Sequence, residues 1–167
     1  MNTSFQRELV TLVPRLRRFA LSLTNSQADA DDLVQSACER ALRNKASFRP
    51  GTRMDSWLYR IIQNLWLDNR RRLKTRKDEI DPMDANLSDS GKGASEPTAR
   101  LMLGKVQEAM GELPDDQRVV LSMIAIEGHS YKDVAEALNI PVGTVMSRLS
   151  RARQKLAPLA SVQGTLQ

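Results

Sequence analysis

The stretch SYKDVAEALNIPVGTVMSRLSRARQKL, residues 130–156, decides how the rest of the chain is read. It holds two short helical patterns separated by a break at Ile140-Pro141. Ser130, followed three residues later by Asp133, has the form of a capping box that opens the first helix. Pro141 supplies the backbone angle needed at the start of the second. In the first helix Val134, Ala135 and Leu138 fall inward; in the second, Val145, Leu149, Ala152 and Leu156 share one narrow arc. The free side of the second helix presents Gly143, Met146, Ser147, Ser150, Arg151 and Gln154, with Thr144 at its start and Arg148, Arg153 and Lys155 on its flanks. Aliphatics would hold this helix on a core, while small residues let its backbone approach a partner. Arginine can grip guanine or phosphate, and Ser and Gln can bond base edges. These are the requirements of a helix entering the DNA major groove. The competing reading is an ordinary surface helix; the capped first helix and the short LNIPVGT turn weigh against it.

Working outward, four helices are expected in the rear block. PTARLMLGKVQEAMGEL forms one, and a second begins at Pro114, where Asp115 and Asp116 suit the positive end of a helix. That second helix, QRVVLSMIAIEG, stops at Gly128, and His129 is a turn residue with no assigned role. Upstream lies DEIDPMDANLSDSGKGASEP, residues 78–97, rich in Asp, Ser, Gly and Pro and without apolar periodicity. Such a composition cannot bury enough surface to offset the entropy of ordering, and it reads as a linker. The expected organisation is therefore a helical domain at 1–77, a linker at 78–97 and a second helical domain at 98–160, all-α throughout.

Charge follows the same divisions. Residues 1–77 carry a balance of +9, residues 78–97 of −5 and residues 98–167 of +1. A basic front half points to a polyanion partner, although a merely solvated surface fits the charge as well. FQRELVTLVPRLRRFALSL gives one or two helices around Pro14. In SQADADDLVQSACERALRN, the residues Ala30, Leu33, Val34, Ala37 and Ala41 form one apolar stripe, with Asp31, Asp32, Gln35 and Glu39 on the other face. Pro50-Gly51 then breaks the pattern with turn chemistry. In MDSWLYRIIQNLWLDNRRRLKTRK, one arc holds Trp57, Leu58, Ile61, Ile62 and Leu65. The opposite arc presents Tyr59, Arg60, Gln63, Asn64, Arg70, Arg71 and Lys74, mixing an aromatic, amides and cations. Trp57 reads as core; Trp66 lies at the edge of the arc.

Other classes are excluded or weakened. One cysteine, Cys38, leaves no internal disulfide, and Cys38 with the lone His129 offers no zinc cluster. Asp31-Asp32 is an acidic pair beside no histidine, so neither an enzyme nor a cofactor or metal is expected. The N-terminus lacks the form of a secretory signal, no apolar run is long enough to span a membrane, and a cytoplasmic protein is expected.

Three stretches in order carry a family resemblance. LPDDQRVVL and EGHSYKDVAEALNIPVGTVMSRLSRARQKL resemble the C-terminal promoter-binding domain of bacterial RNA polymerase sigma factors of the extracytoplasmic-function group. DADDLVQSACERAL resembles that family's polymerase-docking helix, and FRPGTRMDSWLYRIIQNLWLDNRRR its minus-ten helix and loop. The FRPGTRMDSWL wording resembles the general-stress branch. Met146 stands where many relatives carry a basic residue, and Cys38 and Leu42 where many carry large apolar ones.

The resemblance implies a factor that binds core RNA polymerase, through the β′ clamp and the β flap, and directs it to promoter DNA under an anti-sigma factor. It implies clamp contacts for Asp31, Asp32, Gln35 and Glu39. The minus-ten region would face Tyr59, Arg60, Gln63, Asn64, Arg70, Arg71 and Lys74. The loop containing Phe48 and Arg53 would receive an unstacked base. The minus-thirty-five element would face the outward side of the rear helix. It further implies that the acidic linker threads towards the RNA path. No further domain is expected, as the sequence ends soon after Pro158. Two other readings remain. A stand-alone helix-turn-helix regulator would need the rear block alone, leaving the front block without a purpose. A decoy for an anti-sigma factor would lack promoter-dependent transcription.

Overall fold

The computed structural model describes residues 3–79 and 97–164. The chain divides into two compact units, Met1–Ser90 and Gly91–Gln167, and each is helical with no strand among the described residues.

In the first unit, α1 (Thr3–Thr24), α2 (Gln27–Arg43) and α3 (Met54–Glu79) pack on one another. Pro14 lies inside a continuous α1. Proline removes one helical donor, that to the Val10 carbonyl, and Val10 is 68% exposed, so water can satisfy the orphaned oxygen. Asn25 takes a positive φ of 56° to end α1, and the Ser26 hydroxyl then accepts from the Asp29 N–H at 3.3 Å to start α2. The five apolar residues expected on one stripe of α2 are all buried. Three of them are alanines, which let the neighbouring helices come close. A short 3₁₀ turn, Lys45–Ser47, leads to Gly51, whose φ of +88° makes the bend that a side chain would resist.

The buried arc of α3 differs from the expected one. Leu58, Tyr59, Ile62 and Trp66 are buried, whereas Trp57, Ile61 and Leu65 are only partly so. At about 100° per residue, the core-facing direction is rotated by roughly 80° towards Tyr59. The cause is the double contact of α3 with α1 and α2, which asks for a wide apolar arc rather than the single best stripe. Trp66 joins the core.

In the second unit, α4 (Pro97–Glu112), α5 (Asp115–Leu121), α6 (Tyr131–Leu138) and α7 (Val142–Gly164) surround a core of Val119, Val120, Met123, Val134, Val145, Leu149 and Ala152. The helix expected to run from α5 to Gly128 widens into a π turn at Ser122–Ile126 and ends at Gly128 with φ +70°. His129 is buried in the turn that follows, and its backbone N–H donates to the Met123 carbonyl at 3.1 Å. The Ser130 hydroxyl accepts from the Asp133 N–H at 3.0 Å and caps α6. Asn139, with φ 56°, closes α6, and the Ile140 N–H donates back to the Ala135 carbonyl at 3.0 Å, the pairing of a Schellman end. Pro141 follows, and its carbonyl accepts from Thr144 and Val145 to begin α7.

The acidic segment read as a linker lies, over residues 80–96, outside the described residues. Its flanks do not: Asp78 and Glu79 belong to α3, and Pro97 to α4.

Candidate nucleic-acid interface

Helix α3 turns its most outward direction to Arg60, Asn64 and Arg71, which fall within roughly 40° of one another and opposite the buried arc. All three are exposed. Arg71 approaches Asp68 at 3.7 Å, one turn away, a contact too exposed to hold it. Gln63 is half-buried and Lys74 exposed on the margins. The guanidinium of Arg70 lies 5.6 Å from the Trp66 ring centre, a cation–π contact that orients it along the helix.

Tyr59 is a correction. It was expected beside Arg60 on the DNA side, but it is fully buried and meets Phe19 edge-on at 4.8 Å. Its hydroxyl gives it a polar look in sequence, while its ring area rewards burial. Tyr59 is therefore a core residue and has no access to DNA.

The loop before α3 is anchored at two points. Phe48 is half-buried between Phe5 of α1, 5.8 Å away between ring centres, and Trp57 of α3, 5.3 Å away. Arg53 donates from its terminal nitrogen to Asp55 at 2.8 Å and from Nε at 3.2 Å. Asp55 is itself buried, accepts from the Ser56 N–H at 2.8 Å and lies 3.6 Å from Arg15 of α1. Arg53 thus shapes the loop as much as it faces outward. Phe5, Arg15 and Asp55 had no place in the sequence reading, because contacts between segments this far apart leave no periodic trace.

On α2 the exposed face splits. Asp31 accepts from Arg17 Nε of α1 at 2.9 Å. Asp32, Gln35 and Glu39 share an arc pointing away from α1, and the Gln35 amide donates weakly to Glu39 at 3.4 Å. Cys38, on the same helix, is half-buried, and burial pushes its thiol up from the usual 9.0.

On α7, Gly143, Met146, Ser147, Ser150, Arg151, Gln154 and Lys155 are exposed, while Val145, Leu149 and Ala152 are buried. Thr144 is half-buried at the helix start, and its carbonyl accepts from the Ser147 hydroxyl at 3.1 Å. Arg148 behaves differently from its neighbours. It turns towards α5 and lies 3.4 Å from Asp116, with its side chain only 28% exposed. Its first role is to tie the reading helix to α5. Met146, Leu149, Ser150, Arg153 and Gln154 line an open groove of about 400 Å³ that Tyr131, at the start of α6, closes on one side. Among the described residues, no helix is long and apolar enough to cross a membrane.

Comparison with known proteins matches these two units to two family descriptions. Residues 9–76 match Sigma-70 region 2, and residues 103–156 match Sigma-70, region 4. The chain is 37% identical over 164 residues to the ECF RNA polymerase sigma factor EcfG of Rhodopseudomonas palustris (strain TIE-1), covering 98% of this chain and 89% of that protein. The chain belongs to the extracytoplasmic-function sigma factors. As a member, this sigma factor is a transcription initiation factor that binds core RNA polymerase and promoter DNA. Solved structures agree. The sigma factor RpoE from Bartonella quintana, in complex with the anti-sigma factor NepR, matches with a TM-score of 0.75 and 31% identity over 95% of this chain and 98% of that one. CnrH, in complex with the cytosolic domain of CnrY, matches with a TM-score of 0.68 and 29% identity over 94% and 90%. The front unit therefore corresponds to region 2 and the rear unit, with its helix-turn-helix, to region 4.

Proposed function

We propose that this sigma factor docks on the polymerase clamp through Asp32, Gln35 and Glu39, with Asp31 at the edge of the same face. Arg60, Asn64 and Arg71 hold the opened minus-ten strand, and Gln63, Arg70 and Lys74 flank it. Cations draw the backbone without reading sequence, while the Asn64 amide can bond a base edge. The loop from Asn44 to Arg53 receives the unstacked base, with Phe48 as its inner wall. Gly143, Thr144, Met146, Ser147, Ser150, Arg151, Gln154 and Lys155 face the minus-thirty-five element, and Arg148 supports the helix that carries them.

The observation that carries this reading is the placement of Arg60, Asn64 and Arg71 on one exposed arc of α3, opposite the core. Transcription with purified core polymerase, followed by sequencing of the start sites, tests it. Starts at a shared two-part promoter are expected. No start above that of core polymerase alone would contradict it.

Control by an anti-sigma factor is supported by RpoE and CnrH, both solved with such a partner or its cytosolic domain. The likeness to EcfG, together with FRPGTRMDSWL, supports a place in the general-stress branch, and a factor working on core polymerase belongs in the cytoplasm. Co-purification from cells with and without stress tests the first two: a small regulatory protein should be bound before stress and released after it.

A further inference from the structure

On the outward side of α7, Met146 is out of character with its neighbours. Gly143, Ser147, Ser150, Arg151 and Gln154 are small, polar or cationic, yet Met146 is an unbranched apolar side chain left 52% exposed. The core does not need it, because Val145, Leu149 and Ala152 already fill the buried side. It lies instead in the groove of about 400 Å³ whose floor includes Leu149 and whose far wall is Tyr131, itself 36% exposed. Ser150, Arg153 and Gln154 supply the polar and cationic rim.

An apolar floor inside a cationic rim asks for a ligand with the same contrast. Helix α7 carries arginines at 148, 151 and 153, a lysine at 155 and no acidic side chain, which suits a polyanion. The edges of bases in a major groove are donors and acceptors with one apolar exception, the methyl group on C5 of thymine. A thioether is a weak acceptor and cannot donate, so Met146 has little to offer the polar edges. It can offer contact area to a methyl.

We propose that Met146 and the surrounding groove form a reading site for a 5-methylpyrimidine within the upstream promoter element. The proposal rests on the reading of α7 as the promoter-reading helix. One base position is then chosen by contact with a methyl rather than by a hydrogen bond. Thymine fits it, and 5-methylcytosine presents the same group. Ser150 and Gln154, further along the helix, remain available to neighbouring base edges.

The test uses the full chain with core polymerase and an upstream element selected from a randomised library. Each thymine of the selected element, on either strand, is replaced in turn by deoxyuridine, which removes only the methyl. At one position the parent protein should bind the uracil form about fourfold more weakly, the size of one buried methyl contact. At that position 5-methylcytosine should bind better than cytosine. Met146→Ala should weaken binding of the thymine form by a similar factor and bind the thymine and uracil forms alike. Equal binding of both forms by the parent at every position would overturn the proposal, as would undiminished discrimination by Met146→Ala. If Met146→Ala instead keeps its discrimination and loses a co-purifying regulatory protein, the groove belongs to that partner and the proposal fails. If selection yields no upstream preference and no upstream footprint, then the promoter-reading role of α7 fails, and the proposal falls with it.

Discussion

The ring of Tyr59 meets Phe19 of α1 edge-on, with centroids 4.8 Å apart and planes at 90°. This contact is the α1 side of the packing that turns α3 towards Tyr59, and with the α2 side it sets which of its residues face outward. Tyr59→Ala should therefore destabilise the protein by about 3–5 kcal/mol, as truncation of a large buried aromatic does. Urea unfolding followed by circular dichroism measures this. A loss under about 1 kcal/mol would mean that the ring is not part of the core.

Arg148 and Arg151 sit one turn apart on α7 and should behave differently. Arg151 is exposed, and Arg151→Ala should cost roughly 1–3 kcal/mol on the selected upstream element if it contacts a base. A phosphate contact would weaken all sequences alike and reduce the salt slope by about one. Arg148 is paired with Asp116 across a partly exposed contact, so Arg148→Ala should lower stability by only about 0.2–1 kcal/mol. Equilibrium binding to selected and scrambled elements, beside thermal unfolding, separates the two. Larger loss of sequence preference in Arg148→Ala than in Arg151→Ala would reverse the assignment.

Asp32 should matter more to polymerase docking than Asp31, which already faces Arg17 at 2.9 Å. Asp32→Lys should weaken binding to core polymerase by about tenfold or more, equivalent to ~1.4 kcal/mol, with helicity unchanged. Asp31→Asn should have the smaller effect. Titration of labelled sigma factor against core polymerase provides the comparison, and equal affinities for parent and Asp32→Lys would remove α2 from the docking face.

Burial raises the Cys38 thiol above its ordinary 9.0, so the folded state favours the neutral form. The sign follows: the stabilising contribution is present below about pH 9 and is lost as pH rises through the folded value. The stability advantage of the parent over Cys38→Ala should therefore shrink from pH 8 to pH 10. The native thiol should also alkylate more slowly than the unfolded one at pH 8. An advantage that grows with pH would contradict the buried placement.

Much of the fold was legible because helical periodicity survives in single segments. The stripe of Ala30, Leu33, Val34, Ala37 and Ala41 needed one period and one apolar face, and all five are buried. Although the left-handed Asn139 that closes α6 was seen only in the structure, the Ser130 cap and the break at Ile140-Pro141 were local signals in the same way. The phase of α3 was not, because it depends on two partners at once, and an amphipathic Tyr59 fits either side. The aromatic contact of Phe5 with Phe48, and the pairing of Asp116 with Arg148, join segments remote in sequence. No spacing rule connects them. The outward placement of Asn64 held for a reason the sequence did not supply: it sat at the edge of the expected polar arc, and the rotation of α3 towards Tyr59 carried it to the middle of the exposed side.

Potassium permanganate footprinting of holoenzyme containing Asn64→Ala, on a promoter identified by start-site sequencing, tests the central claim most directly. Asn64 is exposed on α3 opposite the buried arc, so its replacement should leave the fold and polymerase binding intact. Protection of the upstream element should also persist. Thymines in the minus-ten region should lose reactivity, and preference for the minus-ten sequence should weaken more than it does in Arg71→Ala. Full reactivity with unchanged minus-ten preference would contradict the account and remove Asn64 from the DNA interface.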